Sequence, residues 1–582
     1  MAAIYYSTSP TVFRALRDQY VRAGFHVTNV ELPGHTIGVA TVDGRLDAHV
    51  WLGNQGGVVS SAKIAYRRRT GRAALEALHE DNGRADTEGV VGGGLLVFAT
   101  TGSLRVVSDS TASAKLYYSS GPDGVSFSSE LYYLARALPQ VTLDELALLE
   151  RTFQASILGD ETIFQECACL SAGDELHVAG GPAKPILTRW RAPALSPTII
   201  DDPAGHIAER AQEIYAELAR LCDRFTVWMT GGLDSRLQLA LMLGAGIDRE
   251  RIELVYGVGN SFVTNTRDRD LEIVQQIADG EGLRLEQLDW TDGDRRFVDW
   301  DHALDSFGQH GLQYGCNIKI LGQYVERLRR GSFATFGYFG ELLRPLDWQR
   351  SARDPGTLTR LAHQYLKVNP AQLGSAELAD RMVEKLGRFV TDPSTVRDED
   401  VVRVYIAYRR SADTKQQELC AMFGSSFPVL GDPAILQLIL GVPFKQKARS
   451  RTLTRIMEAS APKLLSYPVF SHQRDVHLRP NGELRPTRFE LVRSASRRQA
   501  AQLLAAVPSI DRLVREGLGQ SNGSATWPRE LANKVQQQVG VDLIDTSSFQ
   551  SDPRLMLSFA QYLHMFGRCE ANAPPPVHTT DS

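Results

Sequence analysis

Residues 225–243, FTVWMTGGLDSRLQLALML, constrain the fold more than any other stretch. An apolar run breaks at Thr230-Gly231-Gly232, and from Leu233 apolar residues recur at helical spacing, which predicts a strand, a tight turn and a helix. The glycines allow close backbone approach, and the first N–H groups of a helix are donors without helical partners. With the helix dipole they suit an anion such as phosphate. Asp234 beside that anion is repulsive unless a divalent cation lies between them, and Mg²⁺ is commonly held by one or two carboxylates plus substrate phosphates. Thr230, Gly231, Gly232, Leu233, Asp234 and Ser235 are therefore an expected cradle for metal-bound pyrophosphate, with Asp234 a metal ligand. A plain N-capped helix after a turn is the bland alternative, and it leaves two glycines and an acid unused. The spacing lacks the lysine of G-x-x-x-x-G-K-[ST] and differs from G-x-G-x-x-G.

The surroundings predict an α/β chain. Apolar runs at 225–229, 252–256 and 283–288 alternate with helical stretches, as strand–helix–strand units of a parallel sheet do. Up to about residue 191 the pattern is short alternating strands (38–42, 95–99, 104–107, 115–118, 125–128) parted by Gly, Asp and Ser turns. A Pro- and Asp-rich piece at 192–205 reads as a linker. Beyond about residue 355 helices dominate, and the end, ANAPPPVHTTDS, reads as disordered. A chain of 582 residues exceeds one core, so two or three domains are expected.

Several classes are disfavoured. A formal net charge of −4 argues against coating nucleic acid, and the basic runs 67–69 and 327–330 read as solvated faces. No run approaches the roughly 20 apolar residues of a membrane span. The start lacks a basic segment followed by an apolar one. The close pair Cys167 and Cys169 has no second pair at zinc spacing. The expectation is a cytoplasmic protein with reduced thiols and neither nucleic-acid nor membrane partners.

The segment TGGLDSR resembles the SGGxDS pyrophosphatase loop of the asparagine synthetase family, with Thr230 where Ser is usual. Residues 253–288 resemble the family's next strand, adenine-side glycine, acidic residue and helix, which puts Tyr256 and Gly257 at the nucleotide. FGYFGELLRP (336–345) resembles its G-x-G-x-D-E segment, and 424–447 resembles its PFLD…LP…K helix. Residues 94–138 and 160–178 resemble its glutaminase domain, so the resemblance spans about 90–480 in order. It implies an inactive Ntn-hydrolase-like αββα sandwich domain (1–195) and a parallel-sheet PP-loop ATP pyrophosphatase domain (205–480). A helical C-terminal extension (481–570) and a disordered tail (571–582) would complete the chain.

The implied activity is an ATP-dependent, AMP-forming amide-bond synthetase using ATP and Mg²⁺. Glu341 falls where the family has its second metal-binding acid. Tyr338 matches the tyrosine that β-lactam synthetases use in a Tyr–Glu pair, and Asp413 is the acid nearest the partner's place. The family lysine after this region has no counterpart at the matching place in 462–475, where Lys463 and Arg474 are the nearby cations. Arg236 is commonly Arg in lasso-peptide cyclases. His302, His310 and His472 are scattered and read as surface or core residues. Ala2 stands where the glutaminase has its cysteine, and a methyl group cannot form the thioester. Branches without that cysteine include lasso-peptide cyclases and β-lactam synthetases. The expectation is therefore macrolactam formation in natural-product biosynthesis. Its substrate would be a small-molecule or peptide carboxylate, with a precursor peptide and its leader peptidase as partners. A β-lactam synthetase-like enzyme, an ammonia-dependent asparagine synthetase-like ligase and a non-catalytic nucleotide-binding scaffold are the alternatives. A tRNA-modifying pyrophosphatase would call for catalytic cysteines and a basic surface, neither of which stands out.

Overall fold

The computed structural model describes residues 2–41, 43–81, 89–111, 113–122, 124–154, 156–180, 185–192, 194–258, 268–289, 333–344, 357–366, 376–411, 425–447, 450–471, 474–478 and 484–486. Beyond these it describes 559, 562–563, 566–567 and 569. The alternation read from the first 190 residues becomes two six-stranded antiparallel sheets. One runs Ala168–Cys169, Tyr117–Gly121, Gly124–Ser128, Ala2–Ser7, His35–Thr41, His26–Leu32. The other runs Ile186–Trp190, Glu175–Ala179, Ser103–Val107, Leu96–Thr100, Gly56–Ser60, Val50–Gly53.

The two-residue period of a strand sorts side chains into layers. Ala2, Ile4 and Tyr6 join Val39, Val97 and Val106 in a core between the sheets. Ala3 and Tyr5 point the other way, into a core with Leu16 and Tyr20 of the helix Pro10–Arg22 and Tyr132 and Leu134 of the helix Leu131–Ala137. The outer face of the second sheet, with Val58 and Phe98, is covered by Leu75 and Leu78 of the helix Arg72–Glu80. Helices, sheet, sheet and helix make four layers.

The later part holds a five-stranded sheet in the order Arg284–Asp289, Ile252–Val258, Phe225–Trp228, Phe333–Thr335, Ser425–Ser426, every pair parallel. Its inner strands are largely apolar because helices pack on the sheet. Phe225, Val227, Leu254 and Phe333 share one core with Tyr215 of the helix Pro203–Leu218, Leu237 of Leu233–Gly244 and Ile456 of Arg451–Ser460. The chain enters at the central strand, builds outward on one side, then crosses to the other. The order therefore reverses between Phe225–Trp228 and Phe333–Thr335.

The helices Glu145–Gln154, Leu358–Leu366, Ala376–Gly387 and Asp398–Ser411 share the core outside the first antiparallel sheet, with Phe559, Tyr562, Leu563 and Phe566 packed among them. Those four positions give the C-terminal extension a docking place that the sequence left open. A charged knot ties the helices together. Glu150, 0% exposed, accepts from Leu158 N at 2.6 Å, Tyr365 OH at 2.7 Å and Lys385 Nζ at 2.6 Å. Among the described residues no helix is long and apolar enough to cross a membrane.

Candidate functional site

Open parallel sheets bind ligands outside the carboxyl ends of their strands, where the strand order reverses. Here that point lies between 229–235, which follow the central strand, and 336–344, which follow Phe333–Thr335. The helix Leu233–Gly244 starts there, and no side chain caps it at Gly232.

The loop is closed by its own hydroxyls. Thr230 N donates to Ser235 Oγ at 3.1 Å, the two hydroxyl oxygens lie 3.1 Å apart, and Gly232 N donates to Thr230 Oγ1 at 3.3 Å. Gly231 N donates to Asp270 Oδ1 at 2.7 Å, from the helix Asp268–Glu281. This revises the sequence expectation of free donors. Buried N–H groups take a partner, and here a carboxylate stands at the place expected for phosphate. Leu233 is buried at the helix start. Tyr256, buried, and Gly257 lie at the carboxyl end of the adjacent strand, where Met229 N donates to Val255 O at 2.9 Å.

Arg236 holds the loop from beneath. Its guanidinium, in a residue 0% exposed, donates to four carbonyls: Gly231 at 3.1 Å, Leu464 at 3.2 Å, Tyr467 at 3.0 Å and Pro468 at 2.6 Å. Burial among neutral carbonyls pushes its pKa down to about 10. Its place in the fold is an anchor rather than a contact for ligand.

Asp234 is the chemical centre. Oδ2 accepts from Arg344, whereas Oδ1 is buried with no hydrogen-bond partner among the described residues. The carboxyl is mostly enclosed by protein, with 24% of its side chain meeting solvent. Burial pushes its pKa up to about 6; Arg344 pulls against that, Glu341 adds to it and Arg409 opposes it. The two predicted metal ligands are thus close enough to feel each other's charge.

Two glycines make that proximity possible. A Cβ at Gly337 would lie 2.9 Å from both Asp234 Cβ and Ser235 N, and one at Gly340 would lie 3.2 Å from Asp234 Cβ and 3.4 Å from Oδ1. Between them Phe339 takes a left-handed backbone (φ 65°) with its ring 2% exposed. Such a conformation costs about 1–3 kcal/mol and persists only where packing enforces it. It turns the chain into the short 3₁₀ helix Gly340–Leu343, which carries Glu341.

Glu341 Oε1 receives Arg409 Nε at 2.5 Å and Tyr405 OH at 3.1 Å, both from one face of the helix Asp398–Ser411. Arg409 also lies over the rings of Tyr405, Tyr408 and Tyr338, at 5.3, 5.6 and 5.8 Å from their centroids. Tyr338 is therefore at the site, beneath a cation, with Phe336 5.2 Å away ring to ring. A Tyr–Glu pair is present, formed by Tyr405 with Glu341; burial and then the Glu341 charge raise the Tyr405 hydroxyl far above its ordinary pKa. Asp413, His302, His310 and His472 lie outside the described residues. Lys463 is exposed at Gly280 O and Glu281, and Arg474 sits in a strand whose side chains are not described.

The residues fit a divalent cation shared with a ligand rather than caged by protein. Among the described residues no three His, Cys, Asp or Glu side chains converge on a metal site, whereas Asp234 and Glu341 adjoin and one Asp234 oxygen is unpartnered. The resemblance placed an acidic residue in the segment of Asp270 without naming which, whereas nothing local marks Tyr405 and Arg409. Gly337, Gly340 and Arg344 fall in the segment 336–345, where only the fold reveals what they do.

No family profile and no curated protein matches the chain. Among solved structures it is similar to a glutamine phosphoribosylpyrophosphate amidotransferase from B. subtilis, complexed with ADP and GMP. The identity is 10%, over 68% of this chain and 94% of that one, with a TM-score of 0.21. A likeness at that level assigns no family.

Proposed function

We propose that the chain is an ATP-dependent, AMP-forming amide-bond ligase that joins a carboxylate to an amine. The observation that carries this reading is the unpartnered, buried Asp234 Oδ1, set at an uncapped helix start on the reversal point of a parallel sheet with Glu341 as its electrostatic neighbour. In this reading the uncapped N–H groups of 233–235 and the hydroxyls of Thr230 and Ser235 bind the pyrophosphate portion of ATP. Tyr256 and Gly257 border the base. Asp234 and Glu341 would hold Mg²⁺, which when bound would offset phosphate charge. Asp270 leaves Gly231 N to a phosphate oxygen.

The substrate carboxylate attacks the α-phosphorus, pyrophosphate leaves, and an amine then displaces AMP from the acyl group. Arg344 and Arg409, which lie against Asp234 and Glu341, would supply positive charge for the developing phosphate charge, a contribution usually worth several kcal/mol. They take the place of the missing lysine. Tyr338, and Asp413 by sequence, would position the amine. The chain would divide into a silent glutaminase-like unit (1–195) and a ligase unit (205–480), and the substrate would be a peptide carboxylate closing to a macrolactam.

Incubating the full chain with ATP, Mg²⁺ and candidate peptides tests this: pyrophosphate and AMP should appear in equal amounts and vanish in Asp234→Ala and Glu341→Ala. A second reading, nucleotide binding without catalysis, draws on the arginines that neutralise both acids. ATP binding with no pyrophosphate from any peptide would select it. Absence of ATP binding by calorimetry would overturn both.

A further inference from the structure

A cavity of about 690 Å³ lies between the edge of the first antiparallel sheet, the segment 189–197 and the helices after residue 376. None of the cradle residues lines it. Its size is that of a site for a small organic ligand. Leu131, Ile163, Phe389, Val390, Ile406 and Ala407 give it apolar walls.

Its charged residues are mostly spoken for. Arg189 is paired with Asp174 and Asp160, Arg191 with Asp160, Arg388 with Glu161 and Glu384, and Arg403 with Asp400, while Arg151 donates to Tyr562 OH at 3.0 Å. Arg410 is different. Its Nε is buried without a hydrogen-bond partner, and it makes no ion pair among the described residues. Lys115, also buried, donates from Nζ to the Arg410 carbonyl at 2.5 Å and likewise has no acid within ion-pair distance among the described residues. Asp109, Asp432 and Asp174 attract the Arg410 charge from beyond ion-pair distance, and the cavity is thus lined by two cations, Arg410 and Lys115, to which no carboxylate of the described residues is directly bonded. Burial still outweighs those carboxylates for the Arg410 guanidinium, and an anion bonded to it from the cavity would offset that cost.

We propose that this cavity is a second binding site, separate from the nucleotide cradle, for a small acidic molecule with an apolar body whose carboxylate seats on Arg410 with Lys115 beside it. A carboxylate is favoured over phosphate because Glu130, Glu161 and Asp174 also line the cavity and oppose a second negative charge. The planar guanidinium matches the two oxygens of a carboxylate. The proposal does not depend on the ligase reading.

The test is calorimetric titration of the full chain with decanoate, with uncharged decanamide and with inorganic phosphate. Decanoate should bind the wild type, and decanamide at least about tenfold more weakly, the loss expected when a charge-assisted hydrogen bond is removed. Arg410→Gln should weaken decanoate by a similar factor. Removing an unpaired charge relieves desolvation, so this variant should melt no lower than the wild type. Ser196→Trp, at an exposed point of the lining, should block decanoate with Arg410 intact. Undiminished decanoate binding in Arg410→Gln, equal binding of decanamide, displacement of decanoate by phosphate, or no decanoate binding at all would each overturn the proposal.

Discussion

Asp234→Asn should make the ligand-free protein more stable while abolishing the nucleotide binding proposed for this site. The carboxyl titrates at about 6 in the fold against 3.8 ordinarily. A folded pKa above the unfolded one means that the group's favourable contribution is complete below the unfolded value and is lost as pH rises through the folded one. At pH 7 the ionised side chain therefore burdens the fold by about 3 kcal/mol at most. Asparagine keeps the shape without the charge. Allowing for the 24% exposure and for Arg344 left without its partner, the expected gain is about 1–3 kcal/mol at neutral pH. Thermal melts from pH 4.5 to 8 should show the variant melting a few degrees higher at pH 7 and converging with the wild type toward pH 4.5. Calorimetry with ATP and Mg²⁺ should show no binding by the variant. Equal or lower melting at pH 7, or a difference that ignores pH, would refute the reasoning.

Gly337→Ala should cut pyrophosphate release about a hundredfold, because its methyl must push the Asp234 backbone aside, and Gly340→Ala should do so less; initial rates under saturating ATP compare them. Arg236→Met leaves the carbonyls of Gly231, Leu464, Tyr467 and Pro468 without their donor and should lower stability by about 2–4 kcal/mol, read from denaturant melts. Lys385→Met strands the Glu150 carboxylate and should cost about 3–5 kcal/mol, with Glu150→Gln added to Lys385→Met restoring part of it in the same assay.

The parts of this fold legible in the sequence are those written as local periods. Alternation at 125–128 marked the strand Gly124–Ser128, and the switch from apolar run to glycine pair to helical spacing marked the strand Phe225–Trp228 and the helix Leu233–Gly244. The electrostatic neighbourhood of Asp234 and Glu341 followed from two segments, each readable by itself. Long-range side-chain partners were not legible. Arg344 reaches Asp234 across 110 positions and Tyr405 reaches Glu341 across 64, and no local pattern encodes which of many arginines and tyrosines will arrive. The occupied Gly231 donor was missed for the same reason, since its partner Asp270 lies 39 positions away. Phe339 was hidden because aromatic residues rarely adopt a left-handed backbone, and only the close packing of Gly337 and Gly340 on Asp234 accounts for it.

The helix Asp398–Ser411 presents Tyr405 and Arg409 to Glu341, and Arg403, Ile406, Ala407 and Arg410 to the cavity. One rigid rod therefore forms a wall of two chambers. With side chains roughly 6 Å from its axis, a roll of ten degrees carries their ends by about 1 Å. Such a roll would displace the residues at Glu341 and those at the cavity together, so a substitution that reorients this helix should be felt in both places.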